Sequence, residues 1–326
     1  MMILLLFALQ ASAEDQQRSF TVPDGFSVEL VTAEPEAPKI VDIAFDDAGR
    51  LWAVTATEYP LDGNESPAAA ELYKRGGRDR VLVYDTPWAA GRQVPRVFAD
   101  GLAMPMAVLP TRDGVLIGHG PDVLLLKDTD GDGRADAREV VLTGFGIQDS
   151  HLMPHRFVRG PGGWIYFAQG AFNSSDVRTK DGRTHPFAQC KVGRFSADGA
   201  RFETVGWGLN NIWGFVIDPR GEMWIQEAND LGYPVVPFHL GASYPGIGNH
   251  KARPYSPWQP PLAEFRMGGT GLSGLALTER FPDPWNDVML LANPITRTVN
   301  AIKIHADGPR YRLEKRPDFL SSTDPW

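Results

Sequence analysis

Cysteine is nearly absent from this chain. Cys190 is the only one in 326 residues, so no internal disulfide can form and burial or metal must hold the fold together. A basic excess is missing too. Lys and Arg total 32 against 40 Asp and Glu, a formal net charge of -8, which excludes the positive field that nucleic acid or an anionic membrane surface requires. Neutral or cationic small molecules suit it better. No segment reaches the eighteen or so uninterrupted apolar residues of a transmembrane segment. Helical periodicity is scarce, and only Ala68–Lys74 reads as a short helix.

What the chain has in quantity is apolar residues (43%), glycine (34) and proline (27), the composition of a large all-β fold with many turns. Its first residues, Met1–Leu9, form an apolar run without Lys or Arg, followed by Ala11-Ser-Ala13, a small-x-small cleavage pattern. A signal peptide over residues 1–13 and a secreted or periplasmic location are the expectation.

Asp128-Thr-Asp-Gly-Asp-Gly-Arg-Ala-Asp-Ala-Arg-Glu139 fits a complete calcium-loop pattern. Asp128, Asp130, Asp132, Asp136 and Glu139 take loop positions 1, 3, 5, 9 and 12, Arg134 offers its backbone at position 7, and Gly133 makes the sharp turn. The flanks, Val123–Leu126 and Val140–Leu142, read as strands rather than EF-hand helices, which predicts a calcium-pinned β-hairpin. An acidic surface turn without metal is the alternative.

A module recurs five times, about 50 to 65 residues apart: an apolar strand, a turn with Asp or Pro and Gly, then a strand with an aromatic or apolar core. The copies run Ile43–Trp52, Ala107–Ile117, Phe157–Tyr166, Phe215–Trp224 and, more degenerate, Leu275–Leu291. Outer-strand candidates fall between them, at Arg80–Tyr84, Val192–Phe195, Arg201–Val205, Ala301–Ile304 and Tyr311–Leu313. Four strands per period predict a β-propeller over residues 20–326. The recurring Trp and Tyr residues belong to its core. A sixth module would begin at about residue 330, so a six-bladed ring with its last blade truncated is expected, with a five-bladed ring as the alternative. Phe20–Val31 reads as a strand that completes the last blade.

These landmarks carry a resemblance. Val22-Pro-Asp-Gly-Phe26, Asp46–Trp52, Asp128–Asp136, His151-Leu-Met-Pro154 with Gly160–Tyr166, and Gly208-Leu-Asn-Asn-Ile-Trp-Gly214 resemble the membrane-bound dehydrogenase propeller domain, a type often fused to haem-binding C-x-x-C-H modules. The chain is more distantly similar to soluble quinoprotein glucose and sorbosone dehydrogenases. The resemblance implies a six-bladed propeller that oxidises a sugar or alcohol with pyrroloquinoline quinone and calcium, and an electron-accepting haem protein as partner. No C-x-x-C-H occurs in the sequence.

The resemblance also suggests roles. His151 precedes the Gly160–Tyr166 module as the catalytic histidine does in the enzymes resembled, and would take a hydroxyl proton. Asp149 could orient it. Asn210-Asn211 fall where those enzymes keep an Arg-Asn pair for quinone and substrate oxygen. Only Asn211 matches, and Asn210 lacks the charge and fork geometry of arginine. Glu227, Asn229 and Asp230 offer oxygens suited to a cofactor's metal. With Asn211 they would also suit a metal-dependent lactonase-type hydrolase. A non-catalytic glycan- or protein-binding propeller is the third reading. Arg266, Arg297 and His119 could reach the same face.

Overall fold

The computed structural model describes residues 12–228, 234–244, 271–308 and 310–324. A one-and-a-half-turn helix α1 (Ala13–Arg18), capped by the Ser12 hydroxyl, leads into the short strand β1 (Phe20–Thr21). Antiparallel sheets follow in sequence order. The first holds β2 (Ile40–Phe45), β3 (Leu51–Thr55), β4 (Asp79–Tyr84) and β5 (Arg96–Leu102), with α2 (Ala68–Arg75) in the connection between its second and third strands. The second holds β6 (Ala107–Thr111), β7 (Gly114–His119), β8 (Asp122–Lys127) and β9 (Ala137–Leu142).

The third is built from β10 (His155–Gly160), β11 (Trp164–Gln169), β14 (Lys191–Ser196) and β15 (Phe202–Trp207), and the hairpin β12 (Ser174–Arg178) with β13 (Thr184–Ala188) branches from its middle. The fourth contains β16 (Ile212–Ile217), β17 (Met223–Glu227) and β18 (Val235–Phe238). The last contains β19 (Ser273–Leu277), β20 (Val288–Asn293), β21 (Thr298–Asp307) and β22 (Arg310–Ser322).

The first strands β2, β6, β10, β16 and β19 each neighbour the next, so the sheets stand as blades around an axis. The five sequence modules are the inner hairpins of these blades, β2–β3, β6–β7, β10–β11, β16–β17 and β19–β20. Their turns have a chemical reason. Asp46 accepts the Ala48 and Arg50 N–H groups, the Arg50 guanidinium and the Trp52 indole, closing the turn and fixing the aromatic that follows it. Asp218 does the same for Arg220 and Glu222 in the fourth blade.

Both faces of most central strands are buried, which explains their apolar runs. Successive residues on β7 face opposite neighbours. Val115 and Ile117 join Trp52, Val54 and Val83 of the first blade, while Leu116 joins Phe157, Ile165 and Phe195 of the third. Tyr166 and Ala168 pack on Phe215 and Ile225, and Trp224 packs on Leu275, Met289 and Leu291. Trp52, Tyr166 and Trp224 are therefore wedge-filling core residues, as the sequence predicts.

Two expectations need correction. The described residues form five blade sheets, where the resemblance implied six. Of Phe20–Val31 only Phe20–Thr21 is a strand. It pairs with Ser321–Ser322 on the outer edge of the last blade, as expected of a closing strand, but the segment then leaves the sheet, and Val31 packs beside Ala53, Leu82 and Tyr84 of the first. Pro23-Asp24-Gly25 ends the strand: Phe26 N–H bonds the Pro23 carbonyl and Gly25 has φ +88°.

Across the axis the blades meet at one side chain. The β10 register shifts between His155 and Val158, and Arg156 adopts φ +58° there. Its guanidinium reaches Asp42 on β2 (3.4 Å) and the Leu275 carbonyl on β19 (3.4 Å), joining the first, third and last blades. Asp42 also accepts the Val108 N–H of the second blade, at 3.0 Å. Burial raises the Asp42 carboxyl above its ordinary range against the pull of Arg156. Breaking such a pair from one side leaves a buried charge alone, at a cost of about 3 kcal/mol. Arg156→Met should therefore lower the thermal midpoint by roughly 4 °C, and Asp42→Leu in the same chain should recover most of that loss; calorimetry showing an unchanged midpoint in Arg156→Met would contradict the tie.

Candidate active site

Because every blade is antiparallel, its connections divide between two ends. Turns between first and second and between third and fourth strands lie at one end. Connections between second and third strands, and from one blade to the next, lie at the other. Asp128–Asp136 is a turn of the first kind, joining β8 to β9. His151, Asn210 and Asn211 belong to blade-to-blade connections, and Glu227 ends a second strand, so all four lie at the opposite end.

His151 lies in a single 3-10 turn, Ser150–Leu152, just before β10. Its Nδ1 faces the Asp149 carboxylate, and its side chain is 39% exposed while that of Asp149 is 13% exposed. Burial raises the Asp149 carboxyl above the usual carboxylate range, the His151 ring pulls it back, and Asp62 adds to the rise. The expected pair is thus formed, with one member reachable from solvent.

Two residues that sequence reasoning passed over hold it. Asn173, fully buried, accepts the Asp149 N–H through Oδ1 (2.8 Å) and donates from Nδ2 to the Asp149 carbonyl (3.0 Å). Asp62, from the β3–β4 connection of the first blade, accepts both the N–H (2.7 Å) and the hydroxyl (2.5 Å) of Ser150. Two backbone bonds, Gly63 N–H to Ile147 O and Asn64 N–H to Gln148 O, run alongside. Tyr59 is close by. Burial first, then the Asp149 and Asp62 charges, raise its phenol above the usual tyrosine range. The one signal available was the length of the 56–78 connection, since excursions of that size are often functional.

His155 and the remaining nominated residues are held by packing and backbone contacts. His155 stacks on Trp213 with ring centroids 4.2 Å apart and contacts the Ile212 carbonyl, which ties the His151 connection to the Asn210–Asn211 connection. The Asn210 carbonyl accepts from the Cys190 thiol at 2.6 Å, and Asn211 contributes its carbonyl to Ala228 N–H. Glu227 is fully buried, and burial first, with Glu227 adding, raises the Cys190 thiol. Glu227 ends β17 beside the Asn211 carbonyl that accepts the Ala228 N–H, so its carboxylate is enclosed rather than presented to solvent. His119 is buried with Nε2 accepting the Ala103 N–H at 3.0 Å, and Arg297 lies in the β20–β21 turn. Asn229, Asp230 and Arg266 lie outside the described residues.

At the far end, Asp128, Asp130 and Asp132 bring one carboxylate oxygen each within 4.8 Å of one another. The rest of the predicted ligand set diverges. Asp136 is turned to Thr129, whose N–H (3.0 Å) and hydroxyl (2.6 Å) hold its carboxyl below the usual range. Glu139 is held at about 2 by Lys127 and then Lys180, so loop position 12 is engaged on the sheet surface. The Arg134 guanidinium pairs with Asp100 at 3.2 Å. The flanking strands β8 and β9 are as predicted.

The domain of unknown function DUF7133 matches residues 12–326. The chain belongs to that family. No curated protein sequence matches it. In fold, the DUF7133 domain is similar to the PQQ-bound aldose sugar dehydrogenase of Streptomyces coelicolor, at 12% identity over 92% of this chain and 85% of that one, with a TM-score of 0.55. It is also similar to the holo pyranose dehydrogenase PQQ domain of Coprinopsis cinerea (10% identity, 94% and 87% covered, TM-score 0.54) and to a glucose dehydrogenase (16%, 86% and 86%, TM-score 0.50). At these identities the likeness speaks for the β-propeller architecture alone.

Burial gives the DUF7133 domain a defined acid response. It lowers the His119 imidazole to about 4, and His155 likewise to about 4. An unfolded histidine titrates at about 6.5, so between those values the unfolded chain binds protons that the folded chain refuses. Their contribution is complete above pH ~6.5 and is lost as pH falls toward about 4, each ring accounting for something on the order of 2–3 kcal/mol. Urea unfolding at pH 7 and pH 5 should show lower stability at pH 5, and His119→Gln should shrink the difference; equal loss in parent and variant would remove His119 from the explanation.

Proposed function

We propose that this chain is a dehydrogenase-like propeller that oxidises a hydroxyl of a sugar or related alcohol at the end bearing His151. The observation that carries the reading is the half-exposed His151 ring with Nδ1 turned to Asp149. That orientation leaves Nε2 for a substrate hydroxyl, and the carboxylate stabilises the imidazolium that forms when the proton is taken. Hydride then leaves the same carbon for a two-electron acceptor at the mouth, and the product is a carbonyl. A secreted or periplasmic location belongs to the same proposal.

Pyrroloquinoline quinone is named for two of the similar structures. Bound alone, that polycarboxylate needs cationic partners, whereas the described groups around the dyad are Asp62, Asp149 and Tyr59, and the ammonium of Lys39 is turned to the Tyr59 carbonyl. The described groups beside the dyad therefore offer the quinone no cationic partner, and it enters no step here. The lactonase alternative has less to support it, because Asn229 and Asp230 lie outside the described residues and the Asn211 carbonyl is taken by the Ala228 N–H.

A panel of aldoses and polyols assayed by dye reduction, with quinone and non-quinone acceptors, tests the reading. His151→Ala should lower kcat/KM by roughly 10²–10⁴-fold, the usual range for losing a general base. Full turnover in that variant removes the base assignment, and no turnover of any substrate by the parent protein removes the dehydrogenase reading.

The proposal extends to the acidic turn between β8 and β9, where calcium held by Asp128, Asp130 and Asp132 would staple the second blade far from the dyad. A bound ion adds stability in proportion to its saturation. Calcium should raise the thermal midpoint of the parent protein and leave that of Asp130→Ala unmoved; a parent protein that melts identically with calcium and with chelator carries no such staple.

A further inference from the structure

Resting on the dehydrogenase reading, and deepening it, we propose that Asp62 and Asn173 are positioning residues that clamp the His151–Asp149 pair from two blades. The grip is two-sided. Asn173, in the third blade, holds the Asp149 backbone by both its N–H and its carbonyl, and it is fully buried. Asp62 comes from the first blade, 88 residues before Ser150, and takes that residue's N–H and hydroxyl on a single oxygen. His151 is the next residue, so the four bonds bracket the turn that aims its ring.

The clamp exists because the first blade's β3–β4 connection crosses the second blade. Residues 63 and 64 lie along 147 and 148 through two backbone bonds. Tyr59 and Leu61 pack in the same cluster as Met104, Met106 and Met153, and the Tyr73 hydroxyl reaches the Met153 sulfur at 3.1 Å. The root of the excursion is pinned as well. Asp79, fully buried, accepts the Thr57 N–H and hydroxyl, the Thr55 hydroxyl and the Met104 N–H. An excursion anchored at its root and along its length makes Asp62 a fixed point rather than a passing contact.

A short 3-10 turn has few internal bonds, so without these partners the ring orientation of His151 is free to vary. Misplacing a reacting group by about 1 Å can cost on the order of 100-fold in rate. Asp62 also carries charge. Its carboxylate raises that of Asp149, so removing it alters the electrostatic setting of the dyad while the His151–Asp149 contact remains possible.

The test uses the full chain and two readouts. Asp62→Ala and Asn173→Ala should each lower kcat of dye-linked oxidation about 30- to 100-fold with KM within about threefold, and Asp62→Asn, which keeps an acceptor oxygen for Ser150, should recover part of the loss. Independently of turnover, the ring resonances of His151, assigned through His151→Gln, should shift in Asp62→Ala, with the remaining histidine signals in place as evidence of an intact fold. Unchanged His151 resonances in a folded Asp62→Ala protein overturn the clamp whether or not the parent is active. Shifted resonances in a parent that oxidises nothing keep the clamp and sink the dehydrogenase reading instead. Should both alanine variants fail to fold, Ser150→Ala removes one of the Asp62 bonds with the backbone intact, and His151 resonances identical to the parent's would then overturn the proposal.

Discussion

The Arg156–Asp42 tie is the interaction on which the ring depends. Neighbouring blades hold each other by apolar wedges, but a ring of wedges needs something to fix the first blade against the last. Two devices do so. On the rim, Phe20–Thr21 pairs with Ser321–Ser322, and the Ser19 and Ser322 hydroxyls bond at 2.7 Å. On the axis, Arg156 reaches Asp42 in one direction and the Leu275 carbonyl in the other. The axial device costs backbone strain, because a long side chain at φ +58° occupies the left-handed region at the β10 bulge. The same bulge separates His155, stacked on Trp213, from the strand that continues the blade. Thus one local irregularity sets both the closure of the ring and the start of the connection that carries His151.

The two ends of the molecule divide their chemistry accordingly. Short turns at one end close on themselves: Asp46 and Asp218 satisfy their own backbone, and Asp128 accepts the Gly131 and Gly133 N–H groups. Such turns satisfy much of their own backbone, and the first blade adds the Phe98 carbonyl to the Ala135 N–H of the acidic turn. At the other end the longer connections satisfy one another, with Asp62 on Ser150, Asn173 on Asp149 and His155 against Ile212. There, residues from the first and third blades meet on the turn that carries His151. A reactive histidine gains from that arrangement, since its orientation is then set by the assembled ring rather than by its own turn.

That difference also decides what could be read from sequence. The inner hairpins were legible because Asp-x-x-Gly followed by an aromatic is a local rule, and Asp46 shows it bond by bond. Apolar runs buried on both faces made the central strands legible, and α2 announced itself by its alanine run. His151 and Asp149 were legible as neighbours two residues apart. Asp62, Tyr59 and Asn173 were not, because what makes them matter is a contact made only after blades assemble. Glu139 misled for the reverse reason. Its spacing matched a loop ligand, yet the strand pleat directs it to Lys127 and Lys180 on the sheet surface.

The remaining step concerns charge at the mouth. Asp149 is raised by burial and by Asp62, and the Tyr59 phenol by burial and by both carboxylates, so these groups share one negative field. A field of that sign favours the imidazolium that forms when His151 takes a proton, and it disfavours an anionic ligand in the same space. The polarity that makes the histidine a competent base thus works against a polycarboxylate acceptor among the described residues. A neutral hydroxylated substrate escapes this conflict: its uncharged hydroxyls can donate to carboxylates, and positive charge develops only on the ring that Asp149 faces.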